Sequence, residues 1–599
     1  MTRLRNFFRR NWQLLLHWRE QLVFKEEAFH LVLAALVGFI GGLVNLFFFY
    51  AGEMVQRLFL PQPIDPVQAA EMFAPWQRLA VPTLGGLAAG LILYWGFRLV
   101  GPQGSSDLLE VVVAGDGRLP FRTETVKTAS ALVSIATGAS IGREGGITQL
   151  SATLASKLGQ IAKWPPYRLR LLVGCGAAAG ISAAYNAPIA GAVFASLIVL
   201  GNFSMNLFAP LVCASVVATM VSRSFFGIEP WYHVPPFPPI ASAQLPWFIV
   251  MGILCGGVSS LFMKFLRAAK QNFNLLSLPI YARLTLAGLA VGIVAAVGFP
   301  GVCGNGYFVT NAILHGDYKA ATGGFTQLGG LFFAKLLATA ITVGAGTVGG
   351  VFTPTMFLGA DAGALFAMTL HHFGCATGVP SGAFALVGMG ATLAGTTKSP
   401  LLAMIVAFEI SLDYSLMPPL MLACVVAVLV SRQLHNESIY TEHMRLKGLA
   451  LLRENEQAGA AMDKTVGDLM LPPVPPLRET VSLREIADRF LASPNNFVPI
   501  VDGRQRLIGV VALQDLKEYL HNNEDLAGVI ALDLMRPPPK CLTPGQRLLD
   551  ALPLVLASEL RNIPVVSTPS ENRLVGSLSR AQMLAIFSEA IAEKSKPAG

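Results

Sequence analysis

The sequence predicts an all-α polytopic membrane protein with inverted internal repeats and broken helices, followed by a small cytoplasmic α/β region at its C-terminal end. Three observations predict this. Of 599 residues, 53% are hydrophobic and only 13% are charged, with a mean hydropathy of +0.55, far from the composition of soluble globular domains. Apolar stretches long enough to cross or deeply enter a bilayer recur at about 29–51, 77–100, 124–141, 171–200, 204–222, 246–265, 281–299, 329–343, 354–370 and 400–431. After about Tyr440 the apolar pattern gives way to charged and amphipathic segments.

The first residues set the orientation. Arg3, Arg5, Arg9, Arg10 and Arg19 stand among Phe7, Phe8, Trp12, Leu14, Leu15 and Leu16, and no small-residue cleavage pattern follows. This predicts a retained, interfacial amphipathic helix over residues 1–29 rather than a signal peptide. The positive-inside rule places it, and hence the N-terminus, in the cytoplasm. That asymmetry accounts for the net charge of +8, and no basic-aromatic pattern points to nucleic acid. The seven cysteines are scattered singly without metal-ligand spacing, so they read as packing residues, and neither a metal nor a disulfide framework is expected.

Residues 30–445 form the membrane part, in two repeats of about 30–225 and 245–440. Gly174-Cys175-Gly176-Ala177 leading to Asn186-Ala187-Pro188-Ile189 is echoed by Gly388-Met389-Gly390-Ala391 leading to Lys398-Ser399-Pro400-Leu401. Upstream of each lies a glycine cluster, Gly138 to Gly146 and Gly344 to Gly350. Repeats with broken helices in matching places mark transporters and channels whose site lies at the repeat interface. The plainer reading is chance recurrence of small residues in closely packed helices.

Three glycine-rich breaks each precede an apolar helix: Gly101-Pro102-Gln103-Gly104-Ser105-Ser106-Asp107, Gly142-Arg143-Glu144-Gly145-Gly146, and Gly349-Gly350-Val351-Phe352-Thr353-Pro354. A helix N-terminus offers unpaired N–H groups and about half a unit of positive charge to an anion. Several aimed at one point would bind an anion without a fixed cation and so let it leave again. Glu144 is the exceptional member, a carboxylate at membrane depth, where an ionisable group pairs, faces a cavity or does a job. A structural pair with Arg143 is the bland alternative. Glu409 and Asp413, in Phe408-Glu409-Ile410-Ser411-Leu412-Asp413, fit a helix-end or interface role better than proton relay. No nucleophile-base pair or metal cluster accompanies the glycine breaks, so an enzyme is not expected.

Residues 446–464 read as a linker. Beyond it, 465–525 and 526–599 are similar units. Val466-Gly467-Asp468-Leu469-Met470 and Ala531-Leu532-Asp533-Leu534-Met535 open them, Asn496-Phe497-Val498-Pro499-Ile500 and Asn562-Ile563-Pro564-Val565-Val566 form a central strand, and Arg506 to Val510 and Arg573 to Ser577 follow a turn. This βαββα pattern resembles a tandem pair of CBS domains. The resemblance implies adenine-nucleotide binding between the units, with Asp515 holding the ribose and Arg580 at the matching place in the second. A structural or dimerising tail is the equal alternative.

With that tail in place, the membrane motifs resemble the CLC family of chloride channels and chloride/proton antiporters, bacterial type. Gly142-Arg143-Glu144-Gly145-Gly146 is similar to GREGP, Gly350-Val351-Phe352-Thr353-Pro354 matches GxFxP, Gly104-Ser105 takes the place of GSGIP, and Tyr440 ends the last apolar segment where the family has its pore tyrosine. The resemblance implies a homodimer in the bacterial inner membrane, with one chloride pathway per subunit through the lipid bilayer. Glu144 would be the gate. Ser105 and Tyr440 would offer hydroxyls, and Val351 and Phe352 backbone N–H groups, to chloride. Ser105 as a helix cap, Tyr440 as an interfacial anchor and Arg143 as a structural partner remain open. Coupled members carry a second, internal glutamate that relays protons; the matching position here falls at Leu197 or Ile198, neither of which can carry a proton. The expectation is therefore a passive chloride channel gated by Glu144, with a chloride/proton antiporter as the alternative. Tyr440 and the tail disfavour a fluoride-specific relative.

Overall fold

A computed structural model describes residues 26–60, 64–101, 108–113, 116–201, 205–228, 230–318, 323–442, 465–491, 495–515, 529–538, 541–558, 560–568 and 570–583. The amphipathic helix expected over 1–29, except its last four residues, lies outside the described residues, as do the 446–464 linker and Gly104 and Ser105 of the first glycine break. The chain divides into two compact units, Met1–Leu446 and Lys447–Gly599.

The first unit is helical throughout. In order, its helices are α1 (Glu26–Gln56), α2 (Pro66–Met72), α3 (Pro75–Val100), α4 (Leu108–Val113), α5 (Phe121–Ala136), α6 (Glu144–Ile161), α7 (Pro166–Tyr185), α8 (Pro188–Phe194), α9 (Met205–Phe226), α10 (Leu245–Leu275), α11 (Ile280–Val297), α12 (Tyr307–His315), α13 (Gly324–Gly344), α14 (Phe352–His372), α15 (Ser381–Thr397), α16 (Pro400–Ser411) and α17 (Met417–Leu434). Among the described residues, seven helical stretches are long and apolar enough to cross a membrane.

Two runs that hydropathy alone presents as continuous, 171–200 and 400–431, are each broken. In the first, α7 stops at Asn186, whose φ of 59° ends the helix, and Pro188 starts α8 two residues later. A π-helical turn, Ala195–Leu200, then closes the segment. The second repeat uses the same device, since α15 stops at Lys398 with φ 58° and Pro400 starts α16. A left-handed residue ends a helix, and proline suits a helix start because its missing N–H is an orphan there anyway. Leu412, with φ 54°, then separates α16 from α17.

The two halves also pack alike. On α7, a Cβ at Gly176 or Gly180 would strike the α6 backbone at Ala152 or Thr148. Between α14 and α15, Gly359 meets Gly388 and Gly363 meets the Phe384 backbone in the same close manner. Small residues let helix backbones approach where lipid offers no hydrophobic drive. The repeats join at Gly142 and Gly350, which exchange N–H···O bonds of 2.8 Å in both directions. Such an antiparallel pair has a local two-fold axis, and it brings the starts of α6 and α14 together.

The second unit opens with the short turn α18 (Val466–Leu469) and continues through β1 (Leu477–Arg478), α19 (Leu483–Leu491), β2 (Phe497–Val501), β3 (Leu507–Ala512), the turn α20 (Ala531–Leu534), α21 (Leu548–Ala557), β4 (Asn562–Val566) and β5 (Leu574–Ser579). The central pairs β2–β3 and β4–β5 are antiparallel and carry their bulge at the same place, Ile500/Val501 and Val565/Val566. The opening turns are exchanged: Val466 packs with Leu542, Val565 and Leu578, while Ala531 and Leu534 pack with Ile486, Ile500 and Val511. Bridges from Leu471 to Ser577 and from Arg536 to Val510 complete the exchange.

Candidate functional site

Glu144 is the first residue of α6 and is 2% exposed. Its carboxylate reaches across the Gly142–Gly350 bridge to α14. One oxygen accepts the backbone N–H of Thr353 at 3.0 Å, and the other accepts the Thr353 hydroxyl at 3.0 Å. That hydroxyl lies 2.7 Å from the phenol oxygen of Tyr185, the last residue of α7. A negative group seated on orphan N–H groups at a helix start is favoured both by hydrogen bonding and by the helix dipole.

The glycines around it are required by space. A Cβ on Gly142 or on Gly350 would occupy the position of the Glu144 carboxylate, and one on Gly145 would strike the Gly349–Gly350 backbone. Val351 precedes α14 and Phe352 opens it, with Pro354 in its first turn, so all three stand where the carboxylate docks. Phe352 also packs on Tyr185, with ring centroids 5.4 Å apart.

Arg143 does not pair with Glu144. Its guanidinium lies 4.2 Å over the Trp231 ring and 5.6 Å from that of Tyr307, a cation–π arrangement. It lines a cavity of about 290 Å³ together with Asp65, Asn305, Trp231, Tyr307 and Phe48. The adjacent pair of the motif thus separates, its cation facing the cavity and its carboxylate facing α14.

Tyr440 lies in the turn after α17, its ring edge-on to Phe194 at 5.8 Å. Leu197 and Ile198 occupy the π-helical turn after α8; Ile198 is buried and Leu197 partly so. Glu409 accepts N–H groups of Ile189 at 2.9 Å and Ala190 at 2.6 Å, capping α8. Asp413 caps its own turn through Ser415 at 2.9 Å. Both carboxylates therefore serve helix ends. Among the described residues no group of three or more His, Cys, Asp or Glu side chains is placed to hold a metal.

Sequence reasoning did not single out Thr353 or Tyr185. Thr353 lay inside a motif whose glycines and proline drew attention, and Tyr185 closes an Ala/Gly-rich helix where an aromatic reads as packing.

In the second unit, Asp515 is buried, accepts the Ala512 N–H at 3.0 Å and pairs with the guanidinium of Arg536. The strand register pairs Phe497 with Ala512 and Asn562 with Ser579, so the residue matching Asp515 is Gln582 rather than Arg580. Arg580 instead donates to the Ser558 carbonyl at 3.1 Å.

The family profile described as voltage gated chloride channel matches residues 85–432. The chain belongs to the CLC family. CBS profiles match residues 466–522 and 530–589 of this CLC protein. It is 38% identical over 414 residues to a ClcB-like chloride channel protein of Ralstonia nicotianae, covering 68% of this chain and 95% of that one. To the voltage-gated ClC-type chloride channel ClcB of Escherichia coli (strain K12) it is 33% identical over 425 residues, covering 69% and 99%. Among solved structures, a slow cyanobacterial Cl⁻/H⁺ antiporter superposes with a TM-score of 0.60 at 25% identity, covering 71% of this chain and 99% of that one. A eukaryotic CLC transporter shares the fold, with a TM-score of 0.61 at 17% identity, covering 92% and 97%. This CLC protein is thus an integral membrane protein of a chloride-transporting family.

Proposed function

We propose that the chain carries chloride across a bacterial inner membrane through one pathway per subunit of a homodimer, closed by the Glu144 carboxylate, and exchanges it for protons. The observation that carries this is the docking of Glu144 on the Thr353 N–H and hydroxyl. An ionised carboxylate there competes with chloride for the N–H groups that open α14, including those of Val351 and Phe352. A protonated one loses its charge and about half of its hold. Proton uptake and chloride passage are thereby linked at one side chain. Tyr440, whose ring packs edge-on to Phe194, suits a hydroxyl donor further along the path, and Ser105 keeps that role by family resemblance.

Proton-coupled exchange is better supported than the passive conduction expected from the sequence, because the solved relative at 25% identity is a Cl⁻/H⁺ antiporter. Passive conduction remains the second reading for one reason: the apolar Leu197 and Ile198 stand where a relay carboxylate is expected. In proteoliposomes, a chloride gradient should drive sustained proton movement against its own gradient. Chloride flux without proton movement would leave the passive reading. For the tail, Asp515 is proposed to meet the ribose of an adenine nucleotide only after Arg536 releases it.

A further inference from the structure

Asp361 lies in the middle of α14 and is 0% exposed, and neither of its carboxylate oxygens meets a hydrogen-bond partner. An ionised carboxylate in that setting would lack both water and a counter-charge. We propose that Asp361 is a proton-binding site of the membrane unit, and that loss of its proton weakens anion binding at the start of α14. The second clause rests on the reading of that helix start as the chloride site.

Its surroundings define the site. Asp361 follows Phe357 by one turn on the same face of α14, and that face turns to α12, because Gly306, just before α12, lies against the Phe357 ring. Tyr318 stands half-buried in the segment after α12. Other ionisable groups on the packed elements stand elsewhere. Lys335 of α13 approaches Phe357, 5.3 Å from its ring, and spends donors on the Val302 and Gly304 carbonyls. Tyr307 of α12 is stacked with Arg143 at the cavity. His315 of α12 and Lys264, Arg267 and Lys270 of α10 are exposed, and α15 carries no ionisable side chain.

The coupling follows from geometry. Asp361 stands nine positions after Phe352, about 13.5 Å along the helix axis. Two like charges that far apart, at an effective dielectric of about 20, disfavour each other by about tenfold in an equilibrium constant. The protonated acid is silent toward an anion at the helix start, whereas the ionised form repels it.

Infrared difference spectroscopy of the full chain in the Glu144→Gln background, with chloride affinity measured by calorimetry over the same pH range, tests both clauses. We expect a protonated-carboxyl band that is absent in Asp361→Asn and fades at alkaline pH. Over that same range chloride affinity should fall about tenfold in the chain that keeps Asp361 and stay level in the Asp361→Asn variant. Should that variant fail to fold, carboxyl-labelled aspartate in the chain that keeps Asp361 must shift the same band. No aspartate-derived band, or a band that persists unchanged to alkaline pH, overturns the proton site. A fading band with level chloride affinity overturns the coupling. Chloride failing to bind at any pH sinks the helix-start reading and the coupling with it, while the band still decides the proton site.

Discussion

The Glu144 carboxylate accepts the Thr353 N–H on one oxygen and the Thr353 hydroxyl on the other, and the Tyr185 phenol lies 2.7 Å from that hydroxyl. Its charged form is the one these donors favour, so the closed state prevails at higher pH and opening grows as pH falls. Glu144→Gln removes that dependence, and chloride flux in proteoliposomes should be nearly flat between acid and neutral pH. Thr353→Val keeps the shape and deletes the hydroxyl; a hydrogen bond to a charged group contributes about 1.5–3 kcal/mol, so flux at neutral pH should rise by about tenfold or more. Glu144 could be found in the sequence because a carboxylate among glycines in an apolar chain needs a reason. Thr353 could not, since a threonine in a first helical turn reads as a cap, and its partner is 209 positions away in the chain.

At the scale of elements, the breaks carry the function. Helices α6 and α14 begin in mid-domain at the Gly142–Gly350 bridge, and a Cβ at Gly350 has no room beside the carboxylate. Gly350→Ala should displace the gate and raise resting flux, with a stability cost of about 1–3 kcal/mol from overpacking. Glu409 fixes the start of α8 through Ile189 and Ala190. Glu409→Ala removes a charged cap, worth about 0.5–2 kcal/mol, and should lower the thermal unfolding midpoint of the detergent-solubilised protein. The glycine clusters and the Asn-Ala-Pro and Lys-Ser-Pro turns made the broken helices visible in the sequence. The exact stops at Asn186, Lys398 and Leu412 were not visible, because hydropathy averages across a single left-handed residue. The bridge itself joins distant segments and leaves no local trace.

At the scale of the whole molecule, the chain joins a CLC membrane unit to a CBS pair whose opening turns are exchanged between the two repeats. The tandem pattern of the tail was readable from its two proline-containing strands and the turns that follow them, but the exchange and the Asp515–Arg536 pair were not, being contacts between repeats. A partly exposed ion pair is worth up to about 1 kcal/mol, so Arg536→Ala should tighten ATP binding to the full-length protein a few-fold, and Asp515→Asn should abolish it in saturation binding. Coupling of the two ions at Glu144 is the central functional property proposed for the membrane unit. The reversal potential under opposed chloride and proton gradients decides it: coupled exchange gives a potential set by both gradients, and a potential that follows chloride alone rules such exchange out.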